Sequence, residues 1–165
     1  MAVVQAKPVE KTDKAPKEVQ SIRIDEKLMG PGKYEITKDT TFTVNIHLKP
    51  VDGRWILMVD SGKGVDSHKI VFRMWTYDEM VELKKLATNY DQQKRIHMLD
   101  NDMLNRLKIQ KLMLSWTFDK DNPRLKLNHV QGILTDESWN AVKGLQPNIL
   151  EYIISEMNRV YELNG

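Results

Sequence analysis

The run Asp119-Lys120-Asp121-Asn122 sets oxygen donors at alternate positions, the spacing with which a calcium loop begins. Counted from Asp119, the fifth position is Pro123, the sixth Arg124 and the twelfth Val130, where such a loop needs an oxygen ligand, a glycine and a bidentate glutamate. The segment therefore reads as a turn: Asp and Asn bond their own backbone, and Pro123 stops the preceding helix from continuing. Gly62-Lys63-Gly64 suggests a phosphate loop. Leu57, however, stands where the leading glycine belongs, and no hydroxyl residue follows the lysine. The histidines are His47, His68, His97 and His129; only His97 and Asp100 share a helix-like spacing, and two ligands hold zinc poorly. No G-x-S-x-G elbow occurs. Asp78 and Glu82 sit one helical turn apart on a solvated face, without the enclosure that separates the pKa values of paired acids. No catalytic, cofactor-binding or metal-ligating set is expected, so the chain reads as a non-enzyme.

Composition narrows the classes further. The 165 residues suit one domain with a full core. At 41% hydrophobic and 29% charged residues, the balance is that of a soluble globular protein. No apolar run approaches the ~20 residues of a membrane span, and the first residues lack a secretory apolar stretch, so neither a membrane nor export is expected. Net charge is +2, and the basic residues are scattered apart from Lys84-Lys85 and Lys94-Arg95; nucleic acid is not an expected partner. The absence of cysteine excludes disulfides and thiolate metal sites. The nine methionines follow the phase of Leu and Ile, as gap-filling core residues do.

The elements that would position any site fall into three stretches. Residues 1–20 carry two prolines, mixed charges and no aromatic, and read as a flexible arm. Residues 21–75 alternate with period two: Ile22 and Ile24, then Phe42, Val44, Ile46 and Leu48, a turn at residues 50–53, a returning strand from Arg54, and a further strand at residues 68–75. Residues 30–37 add a turn and a short strand. Residues 76–165 shift to helical period. Thr76 and Glu79 form a capping box, with Tyr77, Met80, Leu83 and Ala87 on one stripe. A long helix is predicted over residues 91–116, striped by Ile96, Leu99, Met103, Leu107 and Leu114 and widened by Leu104 and Leu112. A short helix near Trp139 and a last one begun by Pro147 complete about four helices. The fold class is α+β, a small antiparallel sheet followed by helices that pack with it.

From residue 68 onward, a strand, a capped helix, a helix ending in Leu-Ser-Trp-Thr-Phe, a polar loop with proline and a last helix opened by Leu145-Gln-Pro147 follow one another. This order resembles the tail assembly chaperones of long-tailed bacteriophages, with Trp116 and Phe118 in the Trp-x-Phe position. The chain departs from that pattern in the loop, where Asp-Asn-Pro-Arg replaces the usual Asp-Gly, and the β-rich first half is not covered. The resemblance implies a protein that binds tape measure and tail tube proteins in the host cytoplasm. A structural virion subunit (decoration, connector or tail component) is the alternative, held by the arm and a sheet edge, and a homo-oligomer fits either. Candidate partner anchors are Trp116, Phe118, Trp139 and Tyr152, since aromatic side chains entering pockets dominate binding energy.

Overall fold

The computed structural model describes residues 35–37 and 39–164. The arm, the strand expected around Ile22 and Ile24, and most of the turn at residues 30–37 lie outside them.

Alternation builds the sheet. In β1 (Thr41–Val51) Phe42, Val44, Ile46 and Leu48 are buried, while Asn45 between them is exposed. Asp52 and Gly53 both take positive φ, 49° and 80°, the two-residue turn whose twist matches a hairpin. The chain returns as β2 (Arg54–Met58), paired antiparallel with β1 from Val51↔Arg54 to His47↔Met58. On the other side of β1 lies β3 (Asp66–Arg73), antiparallel and in register from Thr41↔Arg73 to Leu48↔Asp66.

Thr76 then caps α1 (Tyr77–Leu86) through the expected box, accepting from the Glu79 N–H while the Glu79 carboxylate accepts from the Thr76 N–H. Arg73, at the end of β3, grips the same carboxylate with two bonds of 2.8 Å. Strand end and helix start are thereby locked together.

The helix predicted over residues 91–116 is three elements instead. The Asp91 carboxylate accepts from the N–H groups of Gln93 and Lys94, and Arg95 takes a φ of 56°. These side-chain bonds turn the chain into a hairpin of β4 (Thr88–Asp91) and β5 (Ile96–Leu99). Asp100, rather than pairing with His97 on a helix, caps α2 (Asn101–Leu112) by accepting from the Met103 N–H. The buried stripe of α2 is Leu104, Lys108, Ile109 and Leu112, so the two leucines expected to widen the stripe are buried as expected, while Ile96, Leu99, Met103 and Leu114 are exposed.

After Leu112 the chain becomes β6 (Met113–Trp116), which pairs antiparallel with β3 across a bulge at Val71/Phe72. The sheet order is therefore β2-β1-β3-β6, its last strand supplied by the helical half. Beyond a 3-10 turn at Pro123–Leu125, a small hairpin of β7 (His129–Val130) and β8 (Ile133–Leu134) precedes α3 (Asp136–Lys143) and α4 (Pro147–Asn164). The Asp119–Asn122 run has the turn role expected of it, with the Asn122 side chain accepting from the Arg124 N–H.

As expected, α4 turns Ile149, Ile153, Met157 and Val160 inward. With them goes Tyr161, fully buried among Phe42, Phe72 and Trp75, whose ring centroids lie 5.1, 6.5 and 4.8 Å away. Its hydroxyl donates to the Arg73 carbonyl at 2.7 Å. Sheet and helices share one core, and the fold is α+β.

The Arg73 guanidinium holds the Glu79 carboxyl down at about 2, outweighing burial, with help from the Thr76 N–H. This carboxyl sits below its ordinary 4.5, so its stabilisation is complete above that value and fades as pH falls toward about 2. Glu79→Gln is expected to lower the unfolding free energy by about 2 kcal/mol at neutral pH. In urea titrations the gap between the two proteins should close as acid protonates Glu79.

Candidate functional site

The four aromatic candidates occupy three separate places. Trp116 is core, 4% exposed at the end of β6, and its indole N–H donates to the Leu125 carbonyl at 2.7 Å. Phe118 is half-buried, 5.2 Å edge-on to Trp116 and 4.4 Å from the His68 ring, so the fold brings this pair together. Burial pushes the His68 imidazole below its ordinary value despite the opposing field of Asp66. Trp139, on α3, is half-buried, with the guanidinium of Arg106 and the ammonium of Lys143 over its ring at 5.5 and 5.9 Å. Tyr152, on α4, lines a shallow groove of about 330 Å³ beside Thr43, His47 and Asp60.

Two features that periodicity did not reveal are better placed to bind something. The first is the β4–β5 hairpin. Its register sets Tyr90 opposite His97 and Thr88 opposite Leu99 on one face, Asp91 opposite Ile96 and Asn89 opposite Met98 on the other. Apolar side chains thus occur on both faces. Tyr90, Ile96, Met98 and Leu99 are all more than 40% exposed, and Leu86 and Met103 flank them in the chain with similar exposure. Among the described residues β4 and β5 pack chiefly on each other.

The second is a cleft of about 490 Å³ where α1, α2 and α4 meet the end of β5. Lys108 of α2 is buried there, 4% exposed. Its Nζ donates to the Asn158 side-chain carbonyl at 2.7 Å and lies 4.9 Å from the Trp75 ring centroid and 5.6 Å from that of Tyr161. The Asn158 amide donates in turn to the Asn105 side-chain oxygen at 2.9 Å. The Trp75 indole N–H, also buried, is without a hydrogen-bond partner among the described residues. Lys84 and Glu162, both exposed, complete the charged lining. Burial brings the Lys108 ammonium down to about 8; Glu162 opposes the shift and Lys84 adds to it.

Sequence reasoning passed over Lys108. A signal was present, since the residue stands at i+4 from Leu104 and i−4 from Leu112 on the inward stripe. A lysine in that phase ordinarily extends its stem along the apolar surface and leaves its ammonium in water. Only the folded chain shows the head group enclosed. The Asp119–Asn122 run joins no ligand set, and among the described residues no three His, Asp or Glu side chains gather as a metal site. No described helix is long and apolar enough to cross a membrane.

Comparison of the chain with protein-family models, curated proteins and solved structures finds no match.

Lys108 titrates below its ordinary 10.5 in the folded chain, so between about 8 and 10.5 the unfolded chain binds the extra proton and folding gains stability as pH rises. Lys108→Met removes this dependence. The stability of the variant relative to the native chain should therefore decline by about 2 kcal/mol from about pH 7 to about pH 10, followed by urea unfolding. Parallel curves would show that the ammonium is solvated.

Proposed function

We propose that this protein is a non-enzymatic factor that binds other polypeptides through apolar surface, in the manner of the phage tail assembly chaperones its helical half resembles. The observation that carries the reading is the β4–β5 hairpin, which holds Tyr90, Ile96 and Met98 in solvent on both faces of a two-stranded ladder. A binder of aggregation-prone segments needs apolar side chains that are accessible yet too dispersed to drive its own precipitation. The hairpin meets that need, because Asn89, Asp91 and His97 interleave with the apolar positions. The expected partners are a tape measure protein and tail tube subunits, met in the host cytoplasm, with an amphipathic partner helix laid against the hairpin.

The partner surface is put on the hairpin rather than on Trp116. Withdrawing Trp116 would break its bond to Leu125 and empty a core position. Phe118 and Trp139 are half-covered by the protein's own side chains and offer less area.

A second reading, a structural virion subunit, draws support from β2. It is an outer strand of the four-stranded sheet, and among the described residues no strand pairs with its outer edge. A neighbour's strand could be added there. Mass spectrometry of purified particles separates the two roles, since a chaperone is absent from the particle and a subunit is present in many copies.

Co-expression with a tape measure protein is expected to raise that partner's soluble yield several-fold. Replacing Tyr90, Ile96 and Met98 together by serine should abolish the gain while leaving the thermal transition of the protein within a few degrees, because surface changes cost about 0.5 kcal/mol or less each. A full gain from the triple variant would remove the hairpin from the function.

A further inference from the structure

The cleft around Lys108 holds more hydrogen-bond donors than the protein satisfies. An ammonium has three N–H groups, and among the described residues that of Lys108 makes a single hydrogen bond, to Asn158. The ring faces of Trp75 and Tyr161 ease its charge but accept no conventional hydrogen bond. Trp75 lines the same cleft, and its indole N–H is buried with no partner among the described residues. A buried N–H left unpaired costs about 1–3 kcal/mol, and a buried ammonium short of partners costs more. Leucine and phenylalanine would fill these positions without either cost, so two orphaned donors in one cleft need an explanation beyond folding.

The polarity of the neighbouring amides follows from the bonds already made. Asn158 accepts from Lys108 through its oxygen, so its nitrogen is the donor to Asn105. Asn105 thereby has its oxygen occupied and its own NH2 left to donate. Lys84 adds a second cation at the surface, and the one carboxylate of the lining, Glu162, is exposed. The Tyr161 hydroxyl is already bound to the Arg73 carbonyl. Among the described residues neither Glu162 nor any other acceptor is bonded to the spare Lys108 N–H groups or to the Trp75 N–H, and a negatively charged group suits such donors best. Of the remaining lining, Asn101 is polar; Leu99 is the exposed apolar side chain, with Trp75 and Leu104 mostly buried behind it and Tyr161 fully so. A volume of about 490 Å³ falls within the range of small-molecule sites.

We infer that this cleft binds a small organic carboxylate, its charged group set between Lys108 and Lys84 and its apolar body against Leu99 and Trp75. Water alone could bond the donors but would leave the apolar wall wetted. Inorganic phosphate would satisfy the charge and make no use of the wall. The ammonium is largely protonated at neutral pH and exchanges one poorly compensated environment for a true counter-ion when the ligand arrives. Leu99 of β5 belongs to both surfaces, but the assignment does not rest on polypeptide capture: binding here can fail while capture succeeds, or the reverse.

The test uses the full chain and benzoate as the probe. The protein has four tryptophans, so its indole N–H groups give a countable set of cross-peaks in nitrogen-15 correlation spectra, and Trp75→Phe identifies the one in the cleft. Benzoate should shift that peak saturably, with a dissociation constant of about 1 mM or below. Benzamide, equal in shape but neutral, should bind at least about tenfold more weakly, as should benzoate to Lys108→Met. Lys84→Gln, at an exposed position that leaves the core untouched, should weaken benzoate several-fold and serves if the Lys108 variant does not fold. No saturable shift, equal binding of benzamide, phosphate binding as tight as benzoate, or undiminished binding to whichever lysine variant folds would each overturn the assignment.

Discussion

The ring of Tyr161 is the constraint on which the rest of the molecule depends. It stands on the terminal helix, buried against Phe42 and Phe72, which are stacked at 5.2 Å across β1 and β3. A buried phenol must find an acceptor, and the Arg73 carbonyl supplies it at the last residue of β3. Burial drives the phenol well above its ordinary pKa, so this hydroxyl stays a donor. One residue therefore fixes where α4 crosses the sheet and how far β3 runs. Arg73 continues the linkage with its side chain, which reaches Glu79 and sets the start of α1. The opposite face of the Tyr161 environment, shared with Trp75, forms the floor of the lysine cleft. Fold and cleft rest on the same ring.

The second organising feature is the return of the chain to the sheet after α2. An outer edge on β3 would leave a row of backbone donors and acceptors to water or to another molecule. β6 covers it, and the far side of β6 is approached by side chains rather than by a fifth strand: the His129 ring bonds the Met113 carbonyl at 2.8 Å. Thr117 closes the corner, exchanging bonds with the backbone of Lys69. This is why Trp116 belongs to the core. Its position opposite Ile70 on the ladder places the indole beneath the 3-10 turn, whose Leu125 carbonyl it satisfies. Among the described residues β2 and β6 are both outer strands, each met by a side chain: His129 at the Met113 carbonyl and Asn148, whose amide donates to the Trp55 carbonyl at 3.3 Å.

The two candidate surfaces meet at Leu99. This residue ends the projecting hairpin and also lines the cleft, while Asp100 beside it caps the helix that carries Lys108. A ligand in the cleft and a polypeptide on the hairpin would touch the same short segment. The lysine is enclosed by aromatic rings and amides, and among the described residues its hydrogen-bond partner is Asn158.

Much of the fold was legible in the sequence, because its signals are local. Two-residue alternation made β1 and β3, the Asp52-Gly53 pair made the hairpin, and Thr76 with Glu79 started α1 where the box predicts. Pro147 and the apolar stripe of α4 were equally plain, since a helix long enough to repeat its pattern five times leaves little room for another reading. Within the helix predicted over residues 91–116 the part that is α2 was legible, but the flanking strands, residues 88–99 and 113–116, were not. Steps of three, four and seven fit Ile96 to Leu114 as a helix, yet four residues of hairpin strand fit the same letters, and the choice fell to the Asp91 turn and to an open edge on β3 supplied from far away in the chain. The site was hidden for the same reason. Lys108 is an ordinary helical lysine until α1, α4 and Trp75 converge on it. Whether a charged head lies in water or is enclosed depends on distant elements, and no pattern along the chain records that.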